Sequence, residues 1–336
     1  MKKIDPITEQ EWEQCNEFNK SILEEFLMNS YHLSPKSKTA YRSNLMIWFN
    51  FIRTNLNNKP QYEIKPIEYM RFQSWLVSLG HSSSDISNKR SAISSLCNYI
   101  ETYYLDLYPN FRSCIVKGMS KPENKLVHEK IPPTKEEMEM LIFEMEKRED
   151  WQKAAYLRYT FDTGCRRSES IQLLKEVVDY EPVIKEREFI DDDGNSKIAT
   201  VKYYRSNKTR CKGRGETGKV RKLIFSQETL DAIKKWLEVR GEDDCPYVFV
   251  ARHDGEYQQI SGSALNKWAT NVFAPILGRR FHPHILREAR ATIGVVEEGK
   301  SAEAMQKLLG HESVDTTTKH YIIKDDDDDD IDELFI

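Results

Sequence analysis

Two domains are predicted, mainly α-helical, with a small antiparallel β-sheet in the second. Three observations lead there. The chain has 336 residues, and at about 150 residues per domain two is the natural number. Its first ~120 residues repeat apolar side chains at helical spacing. After a polar stretch with three prolines at 120–133, the pattern changes to helices interleaved with short β-rich runs.

The first half is read as a small helical bundle. Ser34-Pro35 supplies a hydroxyl cap and a proline for a first turn, and Tyr41, Leu45, Trp48 and Ile52 follow at helical spacing. Ile67, Met70, Trp75 and Leu79 lie on a second helix that stops at Gly80. Ser82-Ser-Ser-Asp-Ile leads into a third, with Ile86, Ile93, Leu96 and Ile100 inward. We place one domain at 1–119 and a linker at 120–133. Thr134 and Glu137 form a capping box that restarts the chain, so the second domain spans 134–324. It opens with a helix around Trp151–Phe161, then Thr163-Gly164 and another helix. Residues 187–225 read as the sheet, with a turn at Asp192-Asp-Gly-Asn. Val201-Lys-Tyr-Tyr and Val220-Arg-Lys-Leu-Ile-Phe are strands either side of a long basic turn, and from Ser226 onward the chain is expected to be mainly helical. Residues 325–336 form an acidic tail read as solvated.

Charge is unevenly placed. The net charge is −4, but the tail holds seven Asp and one Glu without a Lys or Arg. With those removed, 50 basic residues face 46 acids and the body is +4, which is compatible with a nucleic-acid partner and equally with an ordinary enzyme. The hydrophobic share is 39% and the charged share 31%, as in globular proteins. No apolar run approaches the roughly 18 residues of a membrane span, and Met1-Lys-Lys-Ile-Asp-Pro lacks an apolar signal core. A cytoplasmic location, with no membrane partner, is expected. The six cysteines form no C-x-x-C pair, so reduced thiols are expected rather than a zinc site.

Four clusters can carry chemistry. In Thr163-Gly-Cys-Arg166-Arg167-Ser-Glu169, a glycine turn leads into a helix whose positive end lies near Arg166, and Glu169 is spaced to brace an arginine. The plain reading is a helix start with a surface ion pair. Arg205-Ser-Asn-Lys208-Thr-Arg210-Cys-Lys212-Gly-Arg214 is a basic turn suited to a phosphate backbone, or simply a solvated one. Gly213, Gly218 and Lys219 nearly make a P-loop, but the following Ser/Thr and the strand-to-helix setting are missing, so nucleotide binding is rejected. His282-Pro-His284-Ile-Leu-Arg287 puts a His and an Arg three apart, on one helical face. Last come Leu308-Leu-Gly310-His311 and Thr316-Thr-Thr-Lys-His-Tyr321, where Gly310 is a helix stop that would present His311.

In this order the clusters resemble the active site of the tyrosine recombinase (phage integrase) family. Leu33-Ser-Pro-Lys-Ser-Lys-Thr-Ala-Tyr and Ser87-Asn-Lys-Arg-Ser-Ala-Ile-Ser-Ser-Leu are similar to helices of its core-binding domain, so the resemblance covers most of 17–323. It implies a helical core-binding domain, a tyrosine recombinase catalytic domain and a site-specific DNA recombinase working through a 3′-phosphotyrosyl intermediate. Residue by residue, Arg166 matches the first arginine, His284 and Arg287 the His-x-x-Arg pair, His311 the second histidine and Tyr321 the nucleophile. Lys208 is the choice for the hairpin lysine, with Lys212 the runner-up. This sequence departs from the family at Arg287-Glu288-Ala289-Arg290, where a His and then a small hydroxyl residue usually follow the arginine.

The chemistry follows. Two arginines orient and neutralise a phosphodiester, and His311 adds a hydrogen bond. A tyrosine with pKa near 10 needs a proton acceptor, which His284 can be. Lys208, by resemblance, protonates the leaving 5′ oxygen. No cofactor and no metal are expected. Lys38, Arg42, Lys89 and Arg90, near the starts of two helices, are expected DNA contacts. The partners expected are double-stranded DNA and further copies of this chain, as a dimer or tetramer on DNA. Uncomplexed, the tail is expected to fold back over the basic site and, on assembly, to leave it and dock on a neighbouring copy; the plain reading is a disordered acidic end that aids solubility. The chain starts almost directly with the core-binding domain, so no arm-binding domain is expected. The alternatives are an inactive DNA-binding protein on this scaffold, a type IB topoisomerase-like activity, and a helical regulator of a protein partner.

Overall fold

The computed structural model describes residues 4–120, 122–123, 131–190, 196–211 and 219–310. They fall into two compact units, 4–123 and 131–310. The fold class is the one expected, mainly helical with short antiparallel sheets in the second unit.

Five helices make the first unit: α1 (Glu9–Glu13), α2 (Glu17–Asn29), α3 (Pro35–Asn55), α4 (Pro66–Ser78) and α5 (Ser83–Tyr103). Side-chain hydroxyls cap α3 and α5, with Ser34 accepting from the Ser37 N–H and Ser82 from the Asp85 N–H at 3.2 Å each. This satisfies donors that a helix start otherwise leaves open. Ile22, Leu23 and Phe26 of α2 meet Leu45, Trp48 and Ile52 of α3 and Ile86, Ile93, Leu96 and Ile100 of α5 in one apolar core. On α4 the inward stripe is Tyr69, Phe72 and Leu76; Ile67, expected on that helix's apolar pattern, is exposed. Two polar side chains at the centre of this core are paired. Trp48 Nε1 donates to Gln61 Oε1 at 2.7 Å, and the Gln61 N–H donates to Asn19 Oδ1 at 2.7 Å.

The second unit begins with α6 (Lys135–Lys147), capped by Thr134 and Glu137 reciprocally. Helix α7 (Trp151–Thr163) runs through its core and packs on α6 and on α9 (Gln227–Arg240). Asp162, near the end of α7, accepts from the Ser226 N–H at 2.8 Å and from Thr229 Oγ1 at 2.6 Å, which fixes the start of α9. A four-residue helix, α8 (Arg167–Ser170), follows α7. The sheet starts earlier than expected. Strand β1 (Val183–Ile190) pairs with β2 (Ser196–Arg205) in register Val183↔Tyr203. Strand β3 (Thr209–Cys211) pairs with β4 (Lys219–Arg221), and β2 also takes β5 (Ile224–Phe225). The turn expected at Asp192–Asn195 lies outside the described residues.

After α9 the described chain is mainly helical, as expected, and adds one hairpin that was not expected, of β6 (Val250–His253) and β7 (Glu256–Gln259). Asp254 and Gly255 join the strands at φ +50° and +88°, a positive-φ pair typical of tight hairpin turns. Helix α10 (Gly262–Trp268) passes through a π-helical turn (Ala269–Phe273) into α11 (Ala274–Leu277). Helix α12 (Ile285–Thr292) ends in a second π turn (Ile293–Glu297), and α13 (Ala302–Leu309) is the last described element. Among the described residues no helix is long and apolar enough to cross a membrane.

Candidate active site

The site grows from the end of α7. Gly164 closes that helix at φ +54°, donating its N–H to the Thr160 carbonyl at 3.0 Å. Glycine takes this conformation without a Cβ penalty. Space demands it too, since a Cβ on Gly164 would stand 2.3 Å from Leu309 Cδ2. The end of α7 and the end of α13 therefore touch.

Around this contact lies a ring of charged side chains. Arg166 caps α8 from outside, and its Nη1 donates to Glu169 Oε1 at 2.9 Å while its backbone N–H donates to Glu169 Oε2 at 3.1 Å. Glu169 is fully buried. Its Oε2 also accepts from Arg221 Nη2 at 2.9 Å. Arg221 Nη1 donates to the Leu308 carbonyl at 2.7 Å. Next to it, the Leu309 carbonyl accepts from Arg287 Nη2 at 2.7 Å, and Arg287 Nη1 donates to the Gly164 carbonyl at 2.7 Å. The ring closes where it began. Leu308 and Leu309 end α13, so both arginines sit at the negative end of its dipole.

Burial pushes the Glu169 carboxyl up, but the Arg221 charge and the bonds from Arg221 and Arg166 outweigh that and hold it below the usual carboxylate range. The ring holds three guanidiniums and one buried carboxylate, Glu169. The excess positive charge suits an anion with several oxygens. Cys165 is no competing nucleophile, because burial pushes its thiol up to about 12.

The structure thus brings Arg166 and Arg287 together through Gly164. The Arg166–Glu169 pair is not the surface ion pair of the plain reading, since its carboxylate has no exposure. Arg287 is fully buried, and two of its five donors go to backbone carbonyls. His284 stands at the N-cap of α12, half-buried, and its carbonyl accepts from the Arg287 N–H at 3.2 Å. Lys208 is exposed and immediately precedes β3. The neighbouring Asn207 donates to the Gln172 carbonyl at 3.0 Å, and the Arg210 N–H donates to Gln172 Oε1 at 2.9 Å, which ties this corner to the chain just after α8. His311, Tyr321, Lys212 and the acidic tail lie outside the described residues. Arg221 was not foreseen in the site; the only signal was an arginine in a short apolar strand after the basic turn.

The expected DNA contacts differ among themselves. Lys38 and Arg42 of α3 line a cleft of about 330 Å³ with Glu24, Leu27, Met28 and Thr39. Lys38 Nζ lies 6.0 Å from the Tyr31 ring centroid, and Arg42 is paired with Glu24. Arg90 is half-buried. Lys89 requires a correction, because it is 4% exposed and its Nζ is spent on Asp85 at 2.7 Å. It sits on the same face of α5 as Ile86 and Ile93, so packing withdraws it from solvent. Among the described residues no group of three or more His, Cys, Asp or Glu is placed to hold a metal ion.

Residues 133–327 match the model of the phage integrase family. The SPbeta prophage-derived recombinase-like protein YomM of Bacillus subtilis is 32% identical over 96% of this chain and 92% of its own length. The chain belongs to the phage integrase family. The family's tyrosine recombinase XerC of Shewanella oneidensis is 33% identical, but over only 34% of this chain and 36% of that protein. Two solved structures share the fold. The Tn1549 transposon integrase in complex with transposon right end DNA has a TM-score of 0.63 at 14% identity, covering 91% of this chain and 95% of that one. The XerH site-specific recombinase bound to palindromic difH substrate has a TM-score of 0.59 at 18% identity, covering 93% and 85%.

Proposed function

We propose that this tyrosine-type site-specific recombinase breaks and rejoins double-stranded DNA through Tyr321, at the phosphate-binding ring of Arg166 and Arg287. The Tyr321 oxygen attacks the scissile phosphorus and gives up its proton to His284. The bond to the 5′ oxygen breaks, and Lys208 protonates that oxygen as it leaves. A 3′-phosphotyrosyl link and a free 5′ hydroxyl result, with one phosphoester exchanged for another. The reverse attack by a 5′ hydroxyl of a second duplex completes the exchange. Arg166 and Arg287 neutralise the charge that grows on the non-bridging oxygens, with His311 as a further donor.

One observation carries this reading: two arginines from separate helical segments are held together by fixed partners, Glu169 for one and the Gly164 and Leu309 carbonyls for the other. Such preorganisation lowers the reorganisation needed as charge develops. The two solved neighbours, both held on DNA, support the same substrate. Exchange between two duplexes cuts four strands, one per active site, so the working form is a tetramer built from dimers on DNA. Lys38, Arg42 and Arg90 are assigned to backbone contacts. A chromosomal or mobile DNA substrate implies a cytoplasmic location.

The test uses a duplex that the chain itself selects from a randomised pool, nicked near the cleavage point so that the cut product diffuses away. Wild type accumulates a covalent protein–DNA band. Tyr321→Phe binds the same duplex and forms none; a covalent band in that variant removes Tyr321 from its role.

A further inference from the structure

Arg221 occupies a junction that the proposed chemistry leaves unassigned. Its side chain is 20% exposed, and Nη2 is bonded to the buried Glu169 that holds Arg166. Nη1 is bonded to the carbonyl of Leu308, in the last turn of α13. That turn ends at Gly310, at φ +68°, where a Cβ would stand 2.7 Å from Arg221 Nη1. The residue after Gly310 in sequence is His311. On its own strand Arg221 pairs with Thr209, the residue after Lys208. One guanidinium therefore reaches the carboxylate behind Arg166 and the helix end leading to His311, and its backbone lies in the ladder that begins next to Lys208.

We propose that Arg221 is a positioning residue: without touching the phosphate, it sets Arg166 through Glu169 and keys α13 to the β3–β4 pair. This rests on the reading of Arg166 as a phosphate ligand. The planar fork matters here, because one guanidinium must serve a carboxylate and a carbonyl that lie in different directions. A lysine keeps the charge beside Glu169 and so protects the fold, but its single ammonium cannot hold both. The competing account is a buried ion pair that only stabilises the unit.

Arg221→Lys and Arg221→Met are compared with wild type on the selected nicked duplex, at saturating DNA, alongside thermal melting and duplex affinity. Both variants should bind within about twofold of wild type yet cleave at least about tenfold more slowly, the order of one lost charged hydrogen bond. A second duplex carries an uncharged methylphosphonate at the scissile position, where charge neutralisation by Arg166 is not required. On it the deficit should shrink to within about threefold. Wild-type cleavage by Arg221→Lys overturns the proposal, and so does a deficit of equal size on both duplexes, which marks a purely structural role. Should Arg221→Met fail to fold, Arg221→Lys still decides. Arg166→Met is the control for the underlying reading: if it cleaves normally, Arg166 is no phosphate ligand, whatever Arg221 does.

Discussion

The two units bury very different things. In the first, the interior is apolar and aromatic, centred on Trp48, Phe49 and Phe72, and its buried charges Glu68 and Lys89 are each paired with a more open partner. Glu68 is 6% exposed but reaches the more open Lys59, and Lys89 stays within one turn of Asp85. In the second, Glu169, Arg287 and Glu288 lie at 0–1% exposure in the middle of the unit. Burying ions costs several kcal/mol each unless they are closely partnered, and apolar packing would have been the cheaper solution. The contrast teaches where the work is done. The first unit's core is held by apolar packing, whereas the second keeps buried ions that packing alone does not require, which the proposed phosphate site at Arg166 and Arg287 accounts for.

The sharpest way to break this contrast is Trp48→Ala. It removes a fully buried indole and leaves Gln61 Oε1 without its donor, so it should cost ~3–5 kcal/mol, read by chemical denaturation. Cleavage by the DNA-bound fraction should be unchanged. A slower chemical step in this variant would show that the first unit's core also tunes the site.

Glu169→Gln comes next. It leaves two guanidiniums beside a neutral amide and should cost roughly 3 kcal/mol at neutral pH. The folded-state carboxyl is held below its unfolded value, so its contribution is complete above the unfolded pKa and is lost as pH falls through the folded one. Stability curves of wild type and variant should therefore differ fully at neutral pH and converge in acid below the usual carboxylate range. A gap that persists in acid would assign the loss to shape rather than charge.

Arg287→Lys tests the site rather than the fold. The charge remains, but the fork that bridges Gly164 and Leu309 is lost, and cleavage should drop roughly 10²-fold, as for a missing oxyanion donor. Near-normal cleavage would dissociate the buried ring from catalysis.

The smallest effect separates two lysines of the first unit. Lys38→Gln should flatten the salt dependence of DNA binding by about one unit for one lost phosphate contact. Lys89→Gln should leave that slope alone and lower stability instead, since its ammonium is buried against Asp85. Equal slopes in both variants would remove Lys38 from the interface.

How much of this was legible depends on how local the cause is. Helices α3 and α5 were readable because Leu45, Trp48 and Ile52, and Ile86, Ile93 and Leu96, repeat with the helical period and each follows a serine cap. The Thr134–Glu137 box was readable for the same reason. The β6–β7 hairpin was passed over although Asp254-Gly255 announced it; its strands are four residues long, too short for alternation to stand out between helices. Lys89 was read as a surface cation from its residue type, although its spacing already put it on the inward face of α5 with Ile86 and Ile93. The site was legible as an order of residue types through its resemblance to a family. What makes it a site was not. Glu169 meets Arg221 across 52 positions, and Arg287 meets Gly164 across 123, distances at which no spacing rule operates.

The π turn at Ile293–Glu297 makes chain length itself a functional variable. A π turn holds one residue more than an α turn, and here it lets Gly294 lie so close to Met305 that a Cβ would stand 2.5 Å from the sulfur. Deleting one residue would restore regular helix without removing any side chain of the ring. It would also rotate everything downstream by about 100° and shift it by about 1.5 Å, swinging the carbonyls of Leu308 and Leu309 away from Arg221 and Arg287. Chimeras that exchange segments with relatives should therefore be joined outside 293–309, where a harmless-looking gap in an alignment becomes a change of phase.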